Sequence, residues 1–387
     1  MMKKRHILFY YPSIGLGGQQ TQIMQLAQAL KNNGHEVSWL YSYGDALKEE
    51  ASQYCHVIKL LLPHFNQSRF GIGRIINRFI YYNLLEWYLT RYVKKHKVDA
   101  VISSNTIDST VVNKLAKRKL TKHFRYIGGS MVQVEPHLLA SYKKNEVDKY
   151  ISGYFGWPGV FEELKTQDVP EHKFINFPFA VNTNKFYPLN ENEVTAFRQS
   201  LGIASQDTVI GWIGRTAMDM QLWDTLRLGK KLKEAGVSGF RLLFIGGGDA
   251  FEHLQHEVIK YDLTAETILT GWIPYEAVNQ YVNAMDIVPL LERDPHGGSI
   301  VREAMACGRL AISVDGPSGT QALFMKPECS VLVKYDNYLE EATEVVASLI
   351  GNREAINSYG MKARAYVVAN LTFAKQAETI VHAIEAN

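Results

Sequence analysis

Along nearly the whole chain, short apolar runs rich in Ile, Val, Phe and Tyr alternate with longer stretches whose apolar positions recur every three to four residues. The first pattern is that of buried strands and the second that of amphipathic helices, so their alternation predicts parallel sheets with helices on both faces. In the first half, Ile7–Tyr11 is predicted as a strand and Gly15–Gly18 as a glycine turn. Gln19–Asn32 follows as a helix with Ile23, Leu26, Ala27 and Leu30 on one face. Gly34 stops that helix and Val37–Tyr41 returns as a strand. Further strands are predicted at Val57–Leu61, Ala100–Ser103, Arg125–Ile127, Tyr150–Tyr154 and Phe174–Phe177.

The polar, turn-rich segment Asn182–Asn190, with Pro188 inside it, suits a connection between domains. A second cycle then begins, with strands predicted at Thr208–Ile213, Phe240–Ile245, Thr267–Leu269, Ile287–Leu290, Leu310–Ser313 and Ser330–Val333 and helices alone from Tyr338 onward. The expectation is an α/β chain of two Rossmann-like, doubly wound domains. Length agrees: 387 residues exceed the roughly 250–300 at which a single core stops growing.

Composition narrows the function. Forty-two Lys and Arg against 39 Asp and Glu leave a formal charge of +3, which lacks the electrostatic footprint of a dedicated nucleic-acid binder. The basic start Met1–His6 is followed by an apolar run too short for a signal sequence or a membrane span, so a cytoplasmic protein is expected. Cys55, Cys307 and Cys329 are widely spaced, without a CxxC pair or a histidine cluster, so neither disulfides nor a metal site are expected.

In open parallel sheets ligands bind beyond the carboxyl ends of strands. Four loops there carry candidate chemistry. The first is Gly15-Leu16-Gly17-Gly18, whose glycines let backbone amides approach a phosphate or sugar hydroxyl, although it is also an ordinary strand-to-helix turn. Arg215 directly follows Gly214 at a predicted strand end, where a forked, permanent cation can hold a diphosphate. Gly246-Gly247-Gly248 follows the next strand. In the stretch Asp294–Gly308, His296, Gly297, Gly298 and Ser299 lead into a short helix that carries Glu303. Its amides suit phosphate or sugar oxygens, and its carboxylate suits both ribose hydroxyls.

These segments resemble the retaining glycosyltransferases of family 4, a large GT-B group that includes bacterial lipopolysaccharide and mannosyl transferases. The resemblance is carried by Gly17-Gly18, Leu26–Leu30 and Gly34–Val37, then by the hinge Phe186-Tyr187-Pro188 and by Gly211–Arg215. It continues through Leu242–Gly248, Leu269–Ile273, Tyr281 with Ala284-Met285-Asp286, and Glu303–Gly308, so it spans essentially the whole chain.

The resemblance implies a GT-B fold whose two domains face a central cleft. Residues 1–185 would form the acceptor domain, 186–370 the nucleotide-sugar domain, and 371–387 a final helix crossing back to the first. It implies a hexosyl transfer from a nucleotide-diphosphate sugar, UDP before GDP, to a glycan or lipid-linked acceptor, with retention and with neither metal nor cofactor. Arg215 would grip the diphosphate and Glu303 the ribose. The backbone at Trp272 and Ile273 would hold the base, with Gly17, Gly18, Gly246, His296, Gly297, Gly298 and Ser299 also at the donor.

Three positions depart from the family pattern. Pro295 stands where the first of a paired set of glutamates is usual, Met220 where a phosphate-binding lysine is usual, and Gly128-Gly129-Ser130 where a histidine is often found. Either a substitute side chain such as Asp219, His296 or Arg302 takes part, or the donor sugar is unusual, or activity is weak. The departures motivate an alternative, a nucleotide-sugar-binding protein that has lost transfer. A nicotinamide-dependent oxidoreductase ranks last, because the second predicted strand ends in Ser42-Tyr43 with Asp45 beyond Gly44 instead of an acidic residue at its tip.

Residues 69–97 interleave Arg69, Arg74, Arg78, Arg91, Lys94, Lys95 and Lys97 with aromatic and aliphatic residues. Such a helix can rest on an anionic membrane or simply cover its own sheet, and both readings stay open.

Overall fold

A computed structural model describes residues 3–11, 13–15, 18–60, 72–103, 107–127, 149–152, 170–175, 180–291, 298–316 and 321–386. The chain divides into two compact units, Met1–Ala180 with Phe373–Asn387, and Val181–Thr372. The sequence predicts borders at 185/186 and 370/371. The linker instead joins the second unit, because Val181 N donates to Leu371 O at 2.7 Å and Phe186 is buried in that unit's core.

In the first unit, strands β1 (His6–Tyr10), β2 (Glu36–Tyr41), β3 (His56–Lys59), β4 (Ala100–Ser103), β5 (Lys122–Ile127), β6 (Lys149–Ser152) and β7 (Phe174–Ile175) form one sheet in the order β3-β2-β1-β4-β5-β6-β7. Every neighbouring pair is parallel. Helices α1 (Gly18–Asn32), α2 (Lys48–Ser52), α3 (Ile72–His96) and α4 (Ile107–Lys117) connect strands along the chain.

In the second unit, α5 (Glu191–Ser200) precedes β8 (Thr208–Ile213). Then come α6 (Leu222–Glu234), β9 (Phe240–Ile245), α7 (Phe251–Lys260), β10 (Thr267–Leu269), α8 (Val278–Asn283) and β11 (Ile287–Leu290). The unit continues through α9 (Ser299–Ala306), β12 (Leu310–Asp315), β13 (Val331–Lys334), α10 (Tyr338–Leu349) and α11 (Arg353–Asn370). Its sheet runs β10-β9-β8-β11-β12-β13, again parallel throughout.

The last helix, α12 (Phe373–Glu385), belongs to the first unit. Its buried stripe Phe373, Ala377, Ile380, Val381 and Ile384 joins Ile23, Leu26, Ala27 and Leu30 of α1 in one core cluster. Lys122 Nζ donates to Ile384 O at 2.6 Å, and Arg5 reaches Asp99 at 3.0 Å and Glu385 at 3.5 Å.

Helix α3 resolves part of the open reading of residues 69–97, of which 69–71 lie outside the described residues. Tyr81, Leu85, Leu89, Tyr92 and Val93 are buried with Leu8, Tyr10 and Val101, so the helix covers its sheet. Its other face is exposed: Ile80, Leu84 and Trp87 at one end, then Arg91 over the Trp87 ring at 5.0 Å, then Lys94 and Lys95.

One buried constellation mimics a nucleophile and its base. His123 Nε2 lies 2.7 Å from Ser103 Oγ, and His123 Nδ1 contacts Asn113 Oδ1. All three are buried, and burial, with the nearby Arg125 charge, pushes the imidazole down to about 3. The histidine is therefore neutral at all ordinary pH values, and the cluster satisfies polar groups within the core.

Candidate functional site

The strand order of the second sheet reverses between β8 and β11, the switch point where open α/β sheets bind ligands beyond the strand ends. Three loops meet there. Gly214 N donates to Ile245 O at 3.0 Å, Thr216 N to Gly247 O at 2.9 Å, Ala250 N to Thr216 O at 3.2 Å and Gly246 N to Gly271 O at 2.9 Å. Thr216 Oγ1 adds a bond of 3.1 Å to Gly246 O. The loops after β8, β9 and β10 are thus one hydrogen-bonded platform.

Glycine is required in it. Gly246 has φ +123°, and a Cβ there would fall on the carbonyl oxygen of Gly214. A Cβ on Gly247 would stand 2.7 Å from Trp272 Nε1, so the indole, 71% exposed, lies directly against a bare backbone. Ile273 beside it is partly buried and packs on the unit's core. The platform therefore presents one large exposed aromatic surface next to open backbone.

Arg215 projects from the same platform with 55% of its side chain exposed, and it pairs with Asp219 at 3.6 Å. Such an exposed pair is worth little and is easily exchanged for a ligand anion. Met220 is partly buried and packs against the unit's core.

Glu303 stands one turn into α9. Gly298 opens this helix at φ +36°, and a Cβ there would collide with Leu290. Ile300, Val301, Ala304 and Met305 anchor the helix in the core, leaving Glu303 half-buried in dense protein. Burial pushes its carboxyl from the ordinary 4.5 up to about 7, against the pull of Arg302, Lys185 and a hydrogen bond from Ser299.

That shift carries a stability prediction. Because the folded state binds this proton more tightly than the unfolded chain, stability falls as pH rises from 4.5 to 7 and levels off above. The loss is about 3 kcal/mol at most, since solvent reaches part of the group. Glu303→Gln should therefore melt higher than the parent at pH 8 and converge with it near pH 4.5, as read by thermal melts across that range. Parallel curves would show that Glu303 does not carry the shift.

Lys185 is the residue that the sequence left unremarked. It lay inside a segment read only as a linker, yet its charge acts on Glu303, and its ammonium donates to Tyr275 O at 3.2 Å while lying over the Tyr275 ring. A lone lysine before an aromatic offered no periodic or motif signal to single it out. Arg302 is buried with its guanidinium 4.9 Å over the Phe324 ring, a packing role instead of an exposed charge.

In the first unit, Gly18 opens α1, and the preceding loop is tied by Gly15 N donating to Ser13 Oγ at 3.1 Å and Ile14 N to Tyr43 O at 3.2 Å. Gly17, His296 and Gly297, together with Pro295 and Gly128-Gly129-Ser130, lie outside the described residues. Of the predicted donor residues, the fold brings Arg215, Gly246, Trp272 and Ile273 onto one platform. It places Gly298, Ser299 and Glu303 on the helix after the switch-point strand. Among the described residues, no three His, Cys, Asp or Glu side chains gather as a metal site, and the three cysteines are buried thiols.

Residues 193–384 match the family model described as Glycosyl transferases group 1. A 2-deoxystreptamine N-acetyl-D-glucosaminyltransferase from Streptomyces fradiae is 26% identical over 122 residues, 31% of this chain and 29% of its own length. The alignment thus spans less than a third of that curated relative. A glycosyltransferase from Rickettsia africae superposes with a TM-score of 0.77 at 16% identity, covering 99% of this chain and 98% of its own. The Anabaena protein HepE, in complex with UDP and glucose, does so with 0.75 at 13% identity, covering 99% and 100%. The fold is GT-B, two doubly wound α/β units with parallel sheets.

Proposed function

We propose that this chain is a glycosyltransferase that moves a hexose-type sugar from a nucleotide-diphosphate sugar, UDP before GDP, to a glycan or lipid-linked acceptor. The observation that carries the reading is the platform at the carboxyl ends of β8, β9 and β10. There an exposed Arg215, an exposed Trp272 and bare glycine backbone lie together, with Glu303 on the helix that follows the switch-point strand. Each group matches one part of a nucleotide sugar. The guanidinium suits the diphosphate, the Trp272–Ile273 backbone and indole the base, and the carboxylate the ribose hydroxyls. Gly298 and Ser299 at the start of α9 would meet phosphate or sugar oxygens.

In the transfer, the bond from the anomeric carbon to the diphosphate oxygen breaks with its electron pair going to the diphosphate, the acceptor hydroxyl oxygen bonds to that carbon, and the hydroxyl proton passes to an oxygen of the leaving phosphate. Arg215 stabilises the charge growing on the diphosphate. We assign retention, metal independence and membership of family 4 on the strength of the motif order. The match to Glycosyl transferases group 1 favours an active transferase over a transfer-deficient binder.

A thermal-shift panel with UDP, GDP, ADP, CMP and NAD tests the reading, since a ligand at 100 times its Kd stabilises by about 2.7 kcal/mol. UDP or GDP should raise the Tm, and Arg215→Ala or Glu303→Ala should remove the rise. A response to NAD alone, or no response to any nucleoside diphosphate, rejects the site.

The exposed face of α3 supports a second element, peripheral contact with an anionic membrane that presents the acceptor. Ile80, Leu84 and Trp87 would insert, while Arg91, Lys94 and Lys95 meet headgroups, each cation contributing about 1 kcal/mol near the surface. Cosedimentation with phosphatidylglycerol vesicles should fall roughly tenfold or more in Lys94→Glu/Lys95→Glu. Equal binding by parent and variant removes the membrane from the proposal. No described helix is long and apolar enough to cross a membrane.

A further inference from the structure

The second unit has a polar cavity at the amino ends of its central strands, the end opposite the platform. It holds about 380 Å³ and is reached between α5, α11 and the segments that lead into β8, β11 and β12. That is within the roughly 300–1,000 Å³ of small-ligand pockets. Three guanidiniums line it: Arg198 from α5, Arg309 just before β12 and Arg353 from the first turn of α11.

The charge in this cavity is unbalanced. Asp286 is buried with Arg198 Nη2 at 2.7 Å and Arg353 Nη1 at 3.8 Å, and its other oxygen accepts from Val209 N at 2.8 Å. Glu191, at the rim, makes no ion pair with these arginines. Arg309 is held by neutral acceptors, Cys307 O at 3.0 Å, Met285 O at 3.4 Å and Asn283 Oδ1 at 3.4 Å. Burial works against its charge, and Asp286 offsets only part of that. Asp286 therefore pairs with two of the arginines, and Arg309, the third to converge here, is held by neutral oxygens.

We propose that this cavity binds a small phosphorylated anion. Guanidinium groups from three directions match the several oxygens of a phosphate, and such charge-assisted, forked contacts are among the strongest hydrogen bonds that proteins make. Thr195 at the mouth supplies a neutral hydroxyl beside the cations. The site is separate from the candidate donor platform, and its occupancy does not depend on the transferase reading.

Inorganic phosphate is the probe, titrated against chloride at constant ionic strength with the full chain. The parent should show a saturable Tm rise of several degrees. Arg353→Met, at a half-exposed position, should lose most of it. Thr195→Glu should melt higher than the parent without phosphate and respond little when phosphate is added, because the new carboxylate takes the anion's place. Thr195→Gln should respond like the parent, and so should Arg215→Ala. A response absent in the parent, equal in Arg353→Met and Thr195→Glu, or abolished by Arg215→Ala overturns the proposal, the last by placing phosphate on the other platform. Unchanged circular dichroism of each variant confirms that it is folded.

Discussion

Gly246→Ala is expected to destabilise the second unit by about 3 kcal/mol or more and to abolish nucleotide binding with it. The residue holds φ +123°, a conformation that costs an L-residue about 1–3 kcal/mol. The new Cβ would also fall on Gly214's carbonyl oxygen, which is backbone and cannot swing aside. Displacing it adds an overpacking cost of about 1–3 kcal/mol. That carbonyl immediately precedes Arg215, and its movement pulls Thr216 away from Gly246 and Gly247, to which it is hydrogen-bonded.

A Tm fall of roughly 6–12 °C follows, at about 2–4 °C per kcal/mol for a unit of this size. Gly239→Ala is the control. Its φ is +79°, but the nearest atom to a Cβ is Ile350 Cγ2 at 3.9 Å, so it carries backbone strain without collision. It should cost about 1–2 kcal/mol and keep the UDP response. If the two variants melt alike, the interlock of the three loops is not what requires glycine at 246.

Asp286→Ala is expected to cost about 3–5 kcal/mol in phosphate-free buffer, because removing one partner of a buried ion pair strands the other. Arg198 is 6% exposed and its Nε is committed to Ala284 O, so little water is available to replace the lost carboxylate. The Val209 amide loses its acceptor as well. Thermal or urea melts measure the loss, and Asp286→Leu combined with Arg198→Met should recover much of it, as replacing both charges removes the desolvation cost. A single variant within about 1 kcal/mol of the parent would mean that Asp286 behaves like a surface carboxylate.

The strands were legible because side-chain patterning is a local property. Thr208–Ile213, Phe240–Ile245, Thr267–Leu269 and Ile287–Leu290 occur at the expected residues, and Ala100–Ser103 does so in the first unit. Boundaries moved where a distant partner intervenes. The sequence predicts the first strand as Ile7–Tyr11, whereas β1 runs His6–Tyr10, with the His6 ring bonded to Ser38 on the neighbouring strand and to the His96 carbonyl at the end of α3. Residues 69–97 read as either core-covering or membrane-seeking, since amphipathicity alone does not say what faces the apolar stripe. Packing against Leu8, Tyr10 and Val101 decided one face, and the opposite face remains open to solvent.

For the candidate site, the sequence by itself determined the glycine loops, the arginine at a strand end and the carboxylate on a short helix, because each is a residue type at a fixed distance from a periodic element. Only the tertiary structure decided that the loops after three different strands interlock and that Trp272 lies on Gly247. It also placed Lys185 where it acts on Glu303 and brought three arginines around Asp286. These facts depend on residues far apart in the chain coming together, and a carboxyl group's proton affinity depends on what excludes water from it. Local periodicity fixes which side of an element is apolar, whereas burial, charge and contact are properties of the folded whole.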